Sequence, residues 1–301
     1  MEILLSCVSR HGVHYANRAL RFASAATEGK IKFSIVTVNY NGEKFLEEAI
    51  SSVVSQATSE TELEYIVIDG GSTDGSLSII DKYKSYISHF VSEKDKGPAN
   101  ALNKGFSFAS GDVLAWINSD DRYFPGTFSR VAQALQRSPD SAFCFGRCPI
   151  IDEHGREIRF GITRFKEVFF PLSSQFAYRC LNYISQPAMF FRKNAFLQAG
   201  PFCEDMIAAW DYKFVLGLWR QGHAKFINGT PLACFRWHSE SISGSNFSVQ
   251  FKEEYEAVKE DAGTLHPATI VHFFVRWLIV GTYVLMSRRA ARKSISGCSC
   301  G

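Results

Sequence analysis

The stretch Lys32–Gln56, KFSIVTVNYNGEKFLEEAISSVVSQ, predicts a strand followed by a helix. Most of its first seven residues are apolar or β-branched, which is typical of a strand buried on both faces of a parallel sheet. After the Asn-Tyr-Asn-Gly turn, apolar residues recur at the spacing of one helix face: Phe45, Leu46, Ala49, Ile50, Val53 and Val54. A buried strand joined directly to an amphipathic helix is the repeating unit of α/β sheets.

The same unit recurs along the chain. Strands are predicted at Glu64–Asp69, Ile87–Ser92 and Asp112–Ile117, and a helical pattern separates each from the next. Because such alternation proceeds through right-handed crossovers, the sheet should be mostly parallel, with helices on its faces. Further along, SAFCFG and PAMFFR predict strands and DYKFVLGLWRQG predicts a helix. We therefore expect an α/β fold with a single Rossmann-like sheet.

The composition narrows the class of protein. The chain of 301 residues has 33 basic and 30 acidic side chains, and this balance argues against a nucleic-acid partner. Its eight cysteines form no paired C-x-x-C knuckles and are expected to be reduced thiols of a cytoplasmic protein. The first residues do not have the pattern of a signal peptide and are interpreted as an extension that precedes the fold.

Polar clusters follow three of the predicted strands, at Thr37–Asn41, Asp69–Asp74 and Asn118–Asp121. In parallel sheets, ligands bind beyond the carboxyl ends of the strands, so these clusters mark the expected site. Two adjacent carboxylates such as Asp120 and Asp121 are costly unless a cation or hydrogen-bond donors compensate them. Either they form a solvated acidic turn, or they hold a hard cation such as Mg²⁺ or Mn²⁺.

Five segments, in order along the chain, resemble the successive sequence blocks of the family 2 glycosyltransferases, which have the GT-A fold. They are SIVTVNYNGEKFLEEAISSVVSQ, EYIVIDGGSTDGS, SEKDKGPANALNKGF, GDVLAWINSDD and ISQPAMFFRK. The resemblance extends from Phe33 to Ser243. It implies a bacterial-type, inverting transferase that moves a sugar from a nucleoside-diphosphate sugar, with UDP, dTDP or GDP as the nucleotide.

The resemblance also implies a set of donor-binding residues. The acidic metal motif of the family corresponds here to Asn118-Ser119-Asp120-Asp121, with Asn at a position where many members have Asp. Asp120 and Asp121 would then contact the ribose and a divalent metal, Mg²⁺ or Mn²⁺, without an assignment of which does which. His238 would reach the metal or the diphosphate, with Arg236 near the phosphates. The nucleotide pocket would include Thr37, Asn39, Asp69 and Asp95.

An inverting transferase needs a carboxylate that takes the proton of the acceptor hydroxyl. The resemblance places this base just before a helix, where the sequence reads IAAWDYKFVLGLW. Asp211 fits the position if Trp210 is an insertion, and Trp210 itself cannot accept a proton. Glu204 and Asp205 are the alternatives, and Asp211 could instead be a helix cap.

The segment Ala268–Met286 is nearly apolar and is followed by the basic stretch SRRAARK. Arg276 near its middle disfavours a membrane-spanning helix. An amphipathic helix in the plane of the membrane is the favoured interpretation, and a spanning helix or one packed on the protein are the alternatives. The chain is thus divided into an N-terminal extension (1–31), a GT-A domain (32–245) and a C-terminal helical tail (246–301).

These features predict a metal-dependent enzyme at the cytoplasmic face of the plasma membrane that acts on a saccharide or lipid-linked acceptor. A sugar nucleotidyltransferase is the nearest alternative enzyme, but it requires a basic glycine-rich loop after the first strand, and NYNGEKF is not one. A non-catalytic scaffold that binds nucleotide sugars is an alternative of another class.

Overall fold

A computed structural model of the chain describes residues 30–238, 247–278 and 281. Its strands, in chain order, are β1 (Ile31–Asn39), β2 (Thr61–Asp69), β3 (His89–Ser92), β4 (Val113–Asn118), β5 (Arg122–Tyr123), β6 (Ser141–Gly146), β7 (Ile150–Ile151), β8 (Glu157–Ile158), β9 (Met189–Arg192), β10 (His223–Ile227) and β11 (Ala233–Arg236). The helices are α1 (Glu43–Val54), α2 (Ser76–Lys82), α3 (Pro98–Phe108), α4 (Thr127–Arg137), α5 (Phe160–Val168), α6 (Gln175–Cys180), α7 (Lys193–Ala199), α8 (Trp210–Gln221), α9 (Phe247–Ala262) and α10 (267–278).

The central sheet has seven strands in the order β10-β6-β9-β4-β1-β2-β3. Strand β9 is antiparallel to both of its neighbours, and the remaining pairs are parallel. The predicted α/β fold with a mostly parallel sheet is therefore confirmed. The helix predicted from DYKFVLGLWRQG begins one residue earlier, at Trp210, and ends at Gln221.

Side chains of the central strands alternate between two apolar layers. Val36 and Ile68 pack on the side of α3 and α8, whereas Ile35 and Val67 pack on the side of α1 and α4. Because both faces of these strands are covered, the runs Ile35–Val38 of β1 and Tyr65–Ile68 of β2 are apolar or β-branched without alternation. Aromatic rings fill the first layer around the buried Trp116, whose ring contacts those of Phe106, Phe191, Phe202, Trp210 and Phe214.

The register of the parallel strands brings their carboxyl ends to one edge. Asn39 is opposite Asp69, Val38 is opposite Asn118, and Asp69 is opposite Ser92. The three predicted polar clusters therefore lie side by side, as expected for a ligand site of this fold.

A smaller sheet in the order β5-β11-β7-β8 lies next to this edge and was not predicted. Its β11 is antiparallel to β5, which begins directly after Asp121, and parallel to β7. Strands β5, β7 and β8 have two residues each, too few to produce a recognisable alternation of apolar residues.

Helix α9 packs on the domain through Ala257 and Val258, which are buried in the same core as α8. Helix α10 follows, and the Nδ1 atom of its buried His272 lies 2.8 Å from the backbone oxygen of Arg179. The described helices do not include one that is both long enough and apolar enough to cross a membrane. Residues 279–280 and 282–286 of the predicted membrane-associated segment, and residues 1–29 of the predicted extension, lie outside the described part of the chain.

Candidate functional site

A cavity of about 1070 Å³ opens at the carboxyl edge of the central sheet. Part of its lining consists of residues at or shortly after strand ends, which we call the strand-end group: Asn39, Asp95, Asp120 and His238. Another part consists of charged residues from the later helices, which we call the helix group: Lys166 of α5, Asp211 of α8 and Glu254 of α9. The cavity thus joins two sets of ionisable side chains with different structural origins.

Asp69, predicted to belong to the nucleotide pocket, is fully buried and holds the loop after β2 together. Its carboxylate accepts hydrogen bonds from the side chains of Asn39 (2.8 Å) and Ser92 (2.7 Å) and from both the hydroxyl and the backbone N–H of Ser72. Burial alone would raise the pKa of Asp69, but these hydrogen bonds outweigh it and lower the pKa. The carboxylate is therefore anionic and already satisfied by the protein.

The residues predicted for the nucleotide pocket differ in whether they line the cavity. Thr37 is buried and accepts a hydrogen bond from the hydroxyl of Tyr65 (2.9 Å), and neither Thr37 nor Asp69 belongs to the lining of the cavity. Asn39 and Asp95 do line it. The Oδ1 atom of Asn39 is buried and has no hydrogen-bond partner among the described residues, so one acceptor of a cavity-lining side chain is unsatisfied.

The adjacent carboxylates of Asp120 and Asp121 lie in different environments. Asp120 lines the cavity, and its Oδ2 lies 3.0 Å from Nε2 of His238. Asp121 is 1% exposed and lies outside the lining of the cavity; its Oδ1 accepts a hydrogen bond from the backbone N–H of Arg236 (2.8 Å). Burial, together with the neighbouring charge of Asp120, raises the pKa of Asp121 well above its ordinary value.

Arg236 fixes the loop that carries these carboxylates. Its guanidinium is almost fully buried and donates to the backbone oxygens of Asp120 (2.8 Å), Asp152 (3.1 Å) and Glu153 (3.2 Å). It also forms an ion pair with Glu48 of α1. Arg236 therefore anchors this loop from the protein interior and does not line the cavity, and its place near the phosphates stays a prediction.

The donor atoms at the cavity fit a divalent metal through Asp120 and His238. The described residues contain no group of three His, Cys, Asp or Glu side chains placed to hold a metal. A cation such as Mg²⁺ or Mn²⁺ is commonly held by one or two carboxylates, with substrate phosphates and water as the other ligands. Asp120 supplies such a carboxylate, and His238 adds a nitrogen donor beside it. The geometry favours these two residues over the buried Asp121.

The cavity includes Asp211, in the first turn of α8, but neither Glu204 nor Asp205. The carboxylate of Glu204 instead accepts hydrogen bonds from the side chains of Asn100 (2.9 Å) and Asn103 (2.8 Å). Trp210, which the sequence interpretation treated as an insertion, is 8% exposed and packs its ring against Trp116. Asp211 is therefore the carboxylate at this position that can meet a substrate.

Burial raises the pKa of Asp211 to about 6. A hydrogen bond from the backbone N–H of Tyr212 and the positive charge of Lys166 oppose this effect without cancelling it. A carboxylate with a pKa close to neutral is a stronger base than an ordinary aspartate and still ionises at physiological pH. This is the electrostatic property that a general base requires.

Helix α9 supplies two site residues that the sequence did not reveal. Glu253 accepts hydrogen bonds of 2.9 Å each from the backbone N–H groups of Ile207, Ala208 and Ala209, which precede α8. It thereby satisfies the backbone of the turn that leads into the helix carrying Asp211. Glu254 lines the cavity. In the sequence FKEEYEAVKEDA both residues resemble the solvated face of a helix, so no local signal distinguishes them.

Comparison with known proteins agrees with this architecture. A family model described as "Glycosyl transferase family 2" matches residues 34–198, more than half of the chain. The chain belongs to glycosyl transferase family 2.

Individual relatives of this family are distant. An uncharacterized glycosyltransferase of Nostoc sp. is 30% identical over 131 residues, which cover 42% of this chain and 40% of that protein. Poly(ribitol-phosphate) beta-N-acetylglucosaminyltransferase TarS of Staphylococcus aureus is 34% identical over 94 residues, 30% of this chain and 16% of TarS. The chain thus matches less than half of the length of either relative.

Solved structures share the fold. The crystal structure of TarS residues 1–349 with UDP-GlcNAc has a TM-score of 0.61 at 20% identity and covers 79% of this chain and 68% of that one. The mannosyltransferase PcManGT of Pyrobaculum calidifontis, in complex with GDP-Man and Mn²⁺, has a TM-score of 0.56 at 16% identity and covers 93% and 87%. The fold of this family 2 member is therefore that of GT-A glycosyltransferases.

We expect Asp211→Asn to raise the melting temperature at pH 8 and to leave it unchanged below about pH 4. The folded pKa of about 6 lies above the ordinary 3.8, so the protonated carboxyl is the form the fold prefers. The stability from this preference is fully present below the ordinary pKa and is lost as the pH rises through 6. At pH 8 the substitution removes a buried charge, worth at most about 3 kcal/mol.

Differential scanning fluorimetry from pH 4 to pH 8 measures this effect. The matched control is Asp205→Asn, a nearby carboxylate outside the cavity, which should show no pH-dependent gain. An Asp211→Asn protein that is less stable than the wild type at pH 8 would show that Asp211 is structural.

Proposed function

We propose that this protein is an inverting, metal-dependent glycosyltransferase that moves a sugar from a nucleoside-diphosphate sugar to a hydroxyl group of a saccharide or lipid-linked acceptor. The observation that carries the proposal is that one cavity contains both Asp120 with His238 at the sheet edge and the high-pKa carboxylate of Asp211. Such an enzyme needs these two functions, charge stabilisation and a base, beside the same substrate.

The strand-end group would bind the donor. Asp120 and His238 would hold Mg²⁺ or Mn²⁺, which when bound offsets the negative charge that builds on the leaving diphosphate. Asn39, with its unpaired Oδ1, and Asp95 would contact the nucleotide. The GDP-Man and Mn²⁺ bound by PcManGT and the UDP-GlcNAc bound by TarS support a nucleoside-diphosphate sugar as the donor class.

The helix group would receive the acceptor. Asp211 would take the proton of the attacking hydroxyl while that oxygen displaces the diphosphate in line, which inverts the configuration at the sugar carbon. Lys166 would offset negative charge in this part of the cavity, because its ammonium group interacts electrostatically with Asp211 and Glu254. Asp69 and Thr37 would not contact the nucleotide directly. They would stabilise the strand ends beneath it through their buried hydrogen bonds to Asn39 and Tyr65.

A test of the donor site is the Mn²⁺-dependent binding of UDP and GDP, measured by isothermal titration calorimetry. We expect Asp120→Ala to weaken binding in Mn²⁺ by about tenfold or more, because it removes a metal ligand. The control is Asp121→Asn, which is nearly isosteric, keeps an oxygen for the Arg236 N–H and should bind as the wild type does. If Asp121→Asn loses the metal dependence while Asp120→Ala keeps it, the ligand assignment is reversed.

The test of catalysis is release of nucleotide from UDP-GlcNAc, GDP-Man and other nucleotide sugars. Asp211→Asn should bind UDP or GDP normally and lower turnover about 10²-fold or more, the usual effect of losing a general base. Glu204→Gln and Asp205→Asn are the controls and should retain turnover. Binding of a nucleotide sugar by the wild type without any turnover would favour the non-catalytic scaffold.

Peripheral contact with the cytoplasmic face of the plasma membrane is the second part of the proposal. Helix α10 buries Ala268, Thr269 and His272 and exposes an apolar stripe on another face: Ile270, Val271, Phe274, Trp277 and Leu278. Spacings of one, three and four residues place these side chains together, as in a helix that lies in the plane of a membrane. The basic residues that follow in the sequence, Arg288, Arg289, Arg292 and Lys293, would add electrostatic attraction to anionic lipids.

We expect Phe274→Ser combined with Trp277→Ser to reduce flotation with phosphatidylglycerol-containing vesicles, because both side chains are more than half exposed and available to lipid. Raising the salt concentration should reduce the flotation of the wild type, since each Lys or Arg near an anionic surface contributes about 1 kcal/mol. The control is Leu197→Ser, an equally exposed leucine on α7. Vesicle binding that is unaffected by the double substitution would exclude this face.

A further inference from the structure

Glu254 is a buried carboxyl group that the reaction described above does not use. It lies in α9, beyond the matched family segment, and is 3% exposed. It nevertheless lines the cavity, as do Lys166 and Asp211. A carboxyl group that is buried in the protein but faces a ligand cavity is costly to keep, which indicates a role in binding.

The partners of Glu254 hold one of its oxygens and leave the other open. Its Oε1 accepts hydrogen bonds from Nδ2 of Asn182 (3.1 Å) and from Nε2 of Gln250 (3.1 Å). Among the described residues, no hydrogen bond reaches Oε2. Asn182 and Gln250 also line the cavity. The three side chains therefore form a fixed polar patch in its wall, with one carboxyl oxygen available to a ligand.

The charge state of this patch follows from its surroundings. Burial, with the negative charge of Asp211, raises the pKa of Glu254 to about 7, although the two amide hydrogen bonds and Lys166 oppose the shift. Other ionisable groups face it from the neighbouring elements or share its cavity: Tyr178 of α6, Tyr212 of α8, and His272 and Arg276 of α10. Because Asp211 ionises first, near neutral pH one carboxyl group is anionic and its neighbour still holds a proton.

We propose that Glu254 belongs to the acceptor subsite, where its protonated carboxyl group donates a hydrogen bond to an oxygen of a saccharide acceptor beside the hydroxyl that Asp211 deprotonates. This inference rests on the proposed function, because it takes the helix group as the place of the acceptor. The division resembles other sites in which two carboxyl groups have separated pKa values and separate roles. The amide groups of Asn182 and Gln250 fix Glu254 and suit a ligand rich in hydroxyl groups.

The experiment is saturation-transfer difference NMR of the methyl glycosides of glucose, galactose, mannose and N-acetylglucosamine, in the presence of UDP or GDP with Mn²⁺. Glu254→Ala should weaken saccharide binding about tenfold, because it removes the hydrogen bond and the group that orders the patch. Glu254→Gln should retain binding, since its amide donates from the same position as the protonated carboxyl. The control is Glu256→Gln, an exposed residue of α9 that is paired with Lys259.

The pH dependence separates a protonated donor from an anionic acceptor. Binding to the wild type should fall as the pH rises through about 7, where Glu254 loses its proton, whereas binding to Glu254→Gln should not fall there. Glu254→Gln that binds as poorly as Glu254→Ala would overturn the proposal, as would unchanged binding to Glu254→Ala. Failure of all four saccharides to bind the wild type would overturn it too.

Nucleotide release distinguishes failure of this inference from failure of the proposed function. A wild type that turns over a nucleotide sugar, with a Glu254→Ala variant that binds saccharides normally, refutes only the role of Glu254. A wild type that turns over none of the nucleotide sugars refutes the transferase itself, whatever the saccharide binding shows.

Discussion

The buried carboxylate of Asp121 ties the edge of the central sheet to the small sheet beside it. Its hydrogen bond from the backbone N–H of Arg236 connects the end of β4 with the end of β11. The guanidinium of Arg236 donates hydrogen bonds to the backbone of Asp120 and of the turn after β7, and it forms an ion pair with Glu48. Asp120 and His238, which flank this junction, are thereby brought within 3.0 Å of each other at the cavity. The geometry of the proposed donor site therefore depends on Asp121, a carboxylate that does not line the cavity.

The pair of adjacent carboxylates is thus explained by a division of roles. Asp121 is compensated by protein donors and by a raised pKa, while Asp120 lines the cavity, where a cation can reach its carboxyl group. The sequence left open a solvated acidic turn or a cation site. Asp121 is buried and so does not lie in a solvated turn, and the cation site stays a prediction, for Asp120. The same sharing of roles appears at Asp69, whose carboxylate organises Ser72, Ser92 and Asn39 and so presents Asn39 to the cavity.

The sequence predicted the sheet because burial on both faces leaves a local signal. The runs of apolar residues in β1, β2 and β4 mark such strands, and the parallel arrangement then requires their polar ends to meet. It did not predict the small sheet, since two-residue strands have no periodicity. It also could not decide which of Asp120 and Asp121 is buried, because that depends on the backbone of Arg236, 115 residues away in the chain. Tertiary contacts of this kind leave no trace in local spacing.

The strand-end group and the helix group of the cavity differ in how far the local sequence predicts their positions. Asn39, Asp95 and Asp120 lie within the matched family segment, at or shortly after the carboxyl ends of β1, β3 and β4 in one sheet. Asp211, Glu253 and Glu254 lie beyond it, on helices whose placement depends on side-chain packing: Glu253 holds the start of α8, and Ala257 and Val258 hold α9 to the core. A change in that packing can reshape the helix group while the strand register stays intact. If the two groups bind donor and acceptor as proposed, the fold can keep one class of donor while changes in helix packing alter the acceptor.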